Sequence, residues 1–550
     1  MNSGSARYDY ETAWRQYAFD EEENRFLSME EEDLLKICDC VDLTKKWKKF
    51  SGGIPVHYAD GKLYVLKEGP HTRVCGESGS KKSRTVCRGA AISAALNLDS
   101  LIITDPKGEI SSDPKVQWLL KKTGHAVHVL DFRSFNRDRF NCLSYAFEMM
   151  ERGLPGKAMS AIDRFVGMLV DSKQGADDPF WNSQAGDYIR FSAQMLLIAL
   201  SQIRGGKEGF NLASVKSFIR QNRDPVKRIM EQMAKQMPAN TLCNPVSGYN
   251  EILQNPERTY ACIVSSANAL LSEFAQSEEL LRMLSIQTFD IREFYRRPTA
   301  LFLVVPDEVS TYDRIVGYLV DTFYQILVEE YGETYQGKSE PPCSLHVICD
   351  EVASIRINDM SSKISASRSR QIDWTLIYQS EVQMENAYKK DYGTIVGNCK
   401  NHIFLGSSDY QILKTVSDQV GTTNITPEGL SAPLVSVNDL RRMRKERSYK
   451  DALVVTGNDI LCAQLPDYDS YPFLKELPPS EWPENTAGMM PSVYTPEELF
   501  ADFQKGRVNF AAFGKAKRKK NPSKENLLQR DEKTVQYMKE LFDHMFGEEN

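Results

Sequence analysis

No stretch of this 550-residue chain is apolar for long enough to cross a bilayer. The longest runs, AQMLLIAL (193–200) and TALFLVVP (299–306), fall well short of the roughly 18–20 residues that a spanning helix needs. The opening MNSGSARYDYETAWRQ has no basic segment followed by an apolar one, which argues against a secretory signal and predicts a cytoplasmic chain. A disulfide framework is missing too. The eleven cysteines are odd in number and scattered through apolar stretches, as Cys262 and Cys349 are, the pattern of reduced thiols. Cys38 and Cys40 come close together, but no paired Cys/His set stands near them. The seven histidines are isolated, with no H-E-x-x-H, and no serine sits in G-x-S-x-G, so neither a metallohydrolase nor a nucleophile-elbow hydrolase is indicated. A net charge of −7 gives no global attraction to nucleic acid, so any DNA contact must use a local basic surface.

What is present is ordinary globular material, 41% hydrophobic and 26% charged, in a length that suits two to four domains. Acidic clusters (DEEEN, MEEEDLL) mark residues 1–60 as an acidic, helical leader. From 61 the pattern becomes strand, loop, helix, strand: KLYVL, HTRVC, a helical SRTVCRGAAISAAL, then LIITD and HAVHVLDF. Strand signals stop between 146 and 282, where apolar residues recur at three- and four-residue steps, and resume in TALFLVVP, SLHVICDE, WTLIYQS, NHIFLGS and DALVVTG. The expected architecture is an α/β fold with a mainly parallel central sheet formed by 61–145 and 283–477 and interrupted by an all-α insertion at 146–282. Residues 478–550 read as a C-terminal tail with proline-rich turns, a helical TPEELFADF, a basic run at 514–520 and a charged final helix.

Between the strand HTRVC and the helix after it lies VCGESGSKKSRT. The phosphate-loop pattern is G-x-x-x-x-G-K-[ST]; Gly76, Lys82 and Ser83 fall where it asks, but Lys81 occupies the place of the last glycine. The predicted nucleotide-binding set is Gly76, Glu77, Ser78, Gly79, Ser80, Lys81, Lys82, Ser83 and Arg84. Backbone N–H groups and a helix N-terminus would face an anion there, Lys82 would reach the β and γ phosphates of ATP, and Ser83 would ligate Mg²⁺. A plain polar turn is the alternative. A second feature is LHVICDEVASI, an apolar strand ending in two acids. Asp350 suits the Mg²⁺ shell and Glu351 suits activation of an attacking water. Gln379, at the end of WTLIYQS, is placed to sense a γ-phosphate.

These blocks, together with SASRSRQIDW, YGTIVGNCKNHIFLGSSD, TDPKGEI and DDPFW, resemble the type IV secretion coupling proteins, the TraG/TraD group of conjugation, over residues 60–475. The resemblance implies a RecA-like P-loop ATPase, hexameric when active, that brings a relaxase-bound single DNA strand or protein substrates to type IV secretion channel components at the membrane. It also implies that the helical insertion is the all-α domain that takes part in substrate recognition.

Two departures from that pattern stand out: no transmembrane anchor is read in this chain, so docking at the membrane would come through partners, and Lys81 replaces glycine. If the backbone at Lys81 is right-handed, the substitution is cheap and its charge could help to hold phosphate; if not, affinity or turnover falls. A non-hydrolysing adaptor on the same fold is therefore a second reading, and another RecA/FtsK-like DNA motor a third. Arg368 and Arg370 are candidates for an arginine finger that acts on a neighbouring subunit, against exposed helix-start residues. Lys107 and Glu109 lie just past a strand end, where ligands gather in open sheets. Phe180 and Trp181 read as core packing rather than base stacking.

Overall fold

The strands LIITD, TALFLVV and LHVIC are apolar along most of their length with no polar alternation, which fits strands covered on both faces rather than one. A computed structural model of the chain describes residues 26–43, 45, 49–50, 52–67, 71–171, 179–220, 223–235, 245–308, 310–337, 340–423, 432–474, 489–510 and 536. Its strands in chain order are β1 (Phe26–Leu27), β2 (Cys38–Asp42), β3 (Pro55–Ala59), β4 (Lys62–Leu66), β5 (His71–Cys75), β6 (Ser100–Asp105), β7 (Ala126–Asp131) and β8 (Thr299–Val304). There follow β9 (Leu345–Cys349), β10 (Ile372–Tyr378), β11 (Asn401–Phe404), the short pair β12 (Thr422–Thr423) and β13 (Ala432–Pro433), then β14 (Tyr449–Thr456) and β15 (Asp459–Pro466).

Ten of these form one sheet in the order β1-β15-β14-β11-β5-β10-β9-β6-β8-β7. From β11 to β7 every neighbour is parallel, and the hairpin β14–β15 extends the edge antiparallel. In a parallel sheet all the strands end on one edge. Cys75 pairs with Tyr378 and Phe404, and Thr104 with Cys349, so the loops after β5, β6, β9, β10 and β11 open on the same side. In such sheets ligands bind at that edge.

Side chains of each strand alternate between two cores. Leu101, Ile103, Ala300 and Phe302 pack with the helices Arg88–Leu96 and Pro114–Lys122 and with the antiparallel sheet β2-β4-β3. Ile102, Leu301 and Leu303 pack on the other face with the helix Asp313–Glu330 and the insertion. Between β7 and β8 the described residues hold helices and no strand. The 22-residue helix Pro179–Leu200 is their centre: every residue from Met195 to Leu200 is buried, the mark of a helix enclosed on all sides. Phe180, at its exposed start, is 56% accessible and meets Trp181 edge-on, so only Trp181 joins the packing expected of both.

The flanks are also built into the fold. The MEEEDLL cluster forms the helix Glu31–Ile37, which buries Leu34 and Ile37 beside β2. TPEELFADF forms the helix Pro496–Gln504, capped by Thr495 and Glu498, and returns to the insertion: Asn211 Nδ2 donates to Ser492 O (2.8 Å) and Tyr494 N to Ser214 Oγ (2.9 Å). The cluster at 20–24, the aspartates of DDPFW, the basic run 514–520 and most of the final helix lie outside the described residues. Among the described residues no helix is long and apolar enough to cross a membrane.

Candidate nucleotide site

The glycine-bearing loop leaves β5 at the sheet edge and turns directly into a helix. Its root is tied across two strands, with Gly76 N donating to Tyr378 O (3.3 Å) and Glu77 N to Gly406 O (3.2 Å). Only glycine fits at Gly76: a Cβ there would lie 2.6 Å from Ser80 Oγ and 2.9 Å from Leu405 Cβ. Gly79 and Lys81 both take left-handed backbone, with φ of +78° and +68°. Residues 82–87 then form a π-helical turn before Arg88–Leu96. Such widened turns recur at functional sites.

At this loop the side chains divide into two groups. Lys82 is buried and folds back on the loop, its Nζ donating to Gly76 O (2.6 Å) and Glu77 O (3.2 Å). The Oγ of Ser80 is buried with no hydrogen-bond partner, an orphan hydroxyl inside the loop. Ser78 and Glu77 are exposed, and Glu77 accepts from Ser408 N (2.8 Å). Lys81 and Arg84 point elsewhere. Lys81 Nζ donates to Glu446 O (2.5 Å), Arg447 O (3.1 Å) and Asp467 Oδ2 (2.8 Å). Arg84 forks onto Asp467 through Nε (2.8 Å) and Nη2 (2.6 Å), reaches Asp469, and lies over the Tyr468 ring. Burial works against the charge of Asp467, yet the hydrogen bonds from Arg84 and Lys81 hold its carboxyl below the usual range.

The left-handed backbone of Lys81 decides the question left open by the sequence. A non-glycine residue pays about 1 kcal/mol or more in that region, so the lysine is strained. Its ammonium is committed to Asp467 and two carbonyls and is not available to phosphate.

The acidic pair stands opposite. Ser83 Oγ donates to Asp350 Oδ2 at 3.5 Å, and Asp350 is held by Thr104, which donates to its carbonyl (2.9 Å), and by Glu351 N, which donates to Oδ1 (3.1 Å). Burial first, and then the adjacent charge of Glu351, push the Asp350 carboxyl up to about 6, against the pull of Lys82. A carboxylate that the protein under-compensates in this way, beside a serine hydroxyl and a second acid, fits a divalent cation. Together with the orphan hydroxyl of Ser80 and the folded-back Lys82, these residues match a Mg²⁺-nucleotide. Glu351 turns out of the strand with φ of +55°, and its Oε1 accepts from Gln379 Nε2 at 2.8 Å. Gln379 comes from β10, the strand between β5 and β9.

Thus Gly76, Glu77, Ser78, Gly79, Ser80, Lys82, Ser83, Asp350, Glu351 and Gln379 meet at one edge. Lys107 and Glu109, both exposed after β6, share it. Arg368 and Arg370 do not. They precede β10, so its seven residues, about 23 Å at 3.3 Å each, separate them from Gln379 at its far end. Arg370 Nη1 donates to Ala366 O (2.5 Å), and Arg368 is exposed. Asp467 and the segment 445–450, which joins Lys445 to Lys450 by a bridge, were not recognised from sequence. Asp467 is 383 residues from Arg84, and its LPDYDS setting reads as a strand-end turn.

A glycine loop after one strand, an acidic pair ending another, and a third parallel strand between them define a RecA-like P-loop fold. The sequence profile described as "Type IV secretory system Conjugative DNA transfer" matches residues 29–469, and the chain belongs to this family. Among curated proteins no sequence matches. The structure is similar to the bacterial conjugative coupling protein TrwBdeltaN70 in complex with sulphate, with a TM-score of 0.52 and 15% identity over 82% of this chain and 93% of that one. It is similar also to the plasmid coupling protein TrwB in complex with the non-hydrolysable ATP analogue ADPNP, with a TM-score of 0.53 and 16% identity over 81% and 94%. At these identities the likeness concerns the fold.

Proposed function

We propose that the chain is a coupling-protein ATPase of the TraG/TraD kind, which uses ATP hydrolysis to bring single-stranded DNA with its relaxase, or a protein substrate, to a type IV secretion channel. The reading has it work at the cytoplasmic side of the membrane, docked through channel components and assembled as a homo-hexamer. The observation that carries it is the convergence of Lys82, Ser83, Asp350 and Glu351 at one sheet edge, in a chain whose family is that of conjugative DNA transfer.

In this reading Lys82 exchanges the carbonyls of Gly76 and Glu77 for phosphate oxygens, and loop N–H groups take the remainder. Ser83 and Asp350 would hold Mg²⁺, which when bound neutralises charge on the phosphates. Glu351, oriented by Gln379, accepts a proton from the water whose oxygen attacks the γ-phosphorus. The bond from that phosphorus to the β-γ bridging oxygen breaks, and ADP and inorganic phosphate leave. The test is ATP turnover by the purified chain with and without single-stranded DNA, beside Lys82→Ala. Turnover that depends on Lys82 and rises with DNA supports the motor. Nucleotide binding without turnover would replace it with the non-hydrolysing adaptor.

A further inference from the structure

In the standard loop Lys81 is a glycine, and a lysine there invites the view that the loop is damaged. The contacts argue otherwise. A residue that had merely drifted in would leave its ammonium in solvent, but the Lys81 side chain is only 10% accessible and its three N–H donors meet three acceptors, Glu446 O, Arg447 O and Asp467 Oδ2. Asp467 has no accessible side-chain surface, also holds Arg84, and its own N–H donates to Ser448 O (2.8 Å). The same segment holds the loop at a second point, where Lys445 Nζ donates to Gly79 O (2.5 Å). The Lys81 carbonyl is used as well, accepting from Thr85 N (2.9 Å), Thr85 Oγ1 (3.0 Å) and Arg84 N (3.0 Å). Both ends of Lys81 are therefore fixed, one to the start of the helix and the other to the strap 445–448.

We propose that Lys81 is a positioning residue of the phosphate loop: its ammonium, held by the strap and Asp467, keeps the left-handed turn in place that glycine supplies in the standard motif. Lys445 holds the loop by the Gly79 carbonyl and the strap holds it through the Lys81 ammonium, so neither tie occupies a loop N–H group. On this view the textual repair of the motif is a loss, because Lys81→Gly removes the tie and returns to the loop the backbone freedom that the tie suppresses. The proposal rests on the nucleotide reading given above.

The experiment is an equilibrium titration of the full chain with a fluorescent ATP analogue, paired with hydrogen exchange of residues 76–85 in the absence of nucleotide. The variants are Lys81→Gly, Lys81→Met, which keeps the alkyl stem, and Lys81→Arg, which keeps the charge; Lys82→Ala is the control. We expect Lys81→Gly and Lys81→Met to bind about tenfold more weakly and to exchange faster across 76–85, with Lys81→Arg close to the wild type in both. Binding by Lys81→Gly that equals or exceeds that of the wild type, or unchanged exchange in both Lys81→Gly and Lys81→Met, overturns the proposal. A wild type that titrates no better than Lys82→Ala fails the nucleotide reading itself. Gain of binding in Lys81→Gly alone overturns the proposal while leaving the fold competent. The exchange readout is independent of nucleotide and separates these cases.

Discussion

Gln379 Nε2 donates to Glu351 Oε1 at 2.8 Å, joining the ends of two adjacent parallel strands. The amide fixes the direction of a carboxylate that lies in a left-handed turn just outside its strand. Glu351→Gln should retain nucleotide affinity and lose turnover by about 10²–10⁴-fold, the usual weight of a positioned general base. Gln379→Ala should lower turnover by a smaller factor at nearly constant nucleotide affinity. Parallel titrations and steady-state rates check both; equal losses in binding and turnover would assign Gln379 to nucleotide contact instead.

Asp350 carries a cost in the absence of a cation. Its folded-state value of about 6 lies above the ordinary 3.8, so the folded chain binds that proton more tightly than the unfolded one. The contribution is fully favourable below pH 3.8, is lost as pH rises from there to 6, and leaves the ionised group penalised above 6. Asp350→Asn should therefore stabilise the nucleotide-free chain at pH 7.5, by about 1–3 kcal/mol at 1.36 kcal/mol per pH unit, while turnover is abolished. Mg²⁺-dependent nucleotide binding should weaken below about pH 6, where Asp350 takes up its proton. Thermal melting across pH 4–8 and titrations at pH 5.5 and 7.5 test the two halves separately.

Most of the parallel sheet was legible because strands buried on both faces read as largely apolar runs, and Asp350 and Glu351 were legible as candidates because they end one of them. Gln379 followed from the next run. Lys81 was legible as a residue but not as a conformation, since the sign of φ depends on what holds the side chain, here Asp467 nearly 400 residues away. The hairpin strand β15 (DILCAQLP) was missed because Asp459 and Gln464 interrupt its apolar pattern, although the strand is mostly buried between β1 and β14. The return of 489–510 to the helical insertion was hidden for the same reason as Asp467: the contacts that bury Leu499 are long-range, while the local signal, a capped amphipathic helix, says nothing of where it docks.

The helices Asp313–Glu330 and Met360–Ser367 are joined by Lys363 Nζ and Asp321 Oδ1 at 2.7 Å, with side chains 3% and 9% accessible. Lys363 also donates to Asn358 O. Removing one partner leaves a buried charge, so Asp321→Ala should cost about 3–5 kcal/mol in urea unfolding. The double change Asp321→Leu with Lys363→Met should recover much of that loss, because the pair's desolvation disappears with it. A double variant as unstable as Asp321→Ala would show that Lys363 has a further role.

Arg368 stands a strand's length from its own site, and it is exposed. It can serve phosphoryl transfer only at the site of a second copy, the arrangement of an arginine finger supplied in trans. Two expectations separate this from a surface role. Arg368→Ala alone should lower turnover by about 10³-fold or more without weakening nucleotide binding, if it stabilises transition-state charge as such fingers do. Mixing inactive Arg368→Ala with inactive Lys82→Ala should restore measurable turnover, because some interfaces then pair an intact loop with an intact arginine. Restoration requires exchange of copies, so it should grow with protein concentration and vanish on dilution. A mixture that stays inactive under conditions where subunits are shown to exchange, or a single Arg368→Ala variant with full activity, removes the trans role. Arg370, whose guanidinium is partly engaged by Ala366 O and Ser369 Oγ, should then be tested by the same mixture.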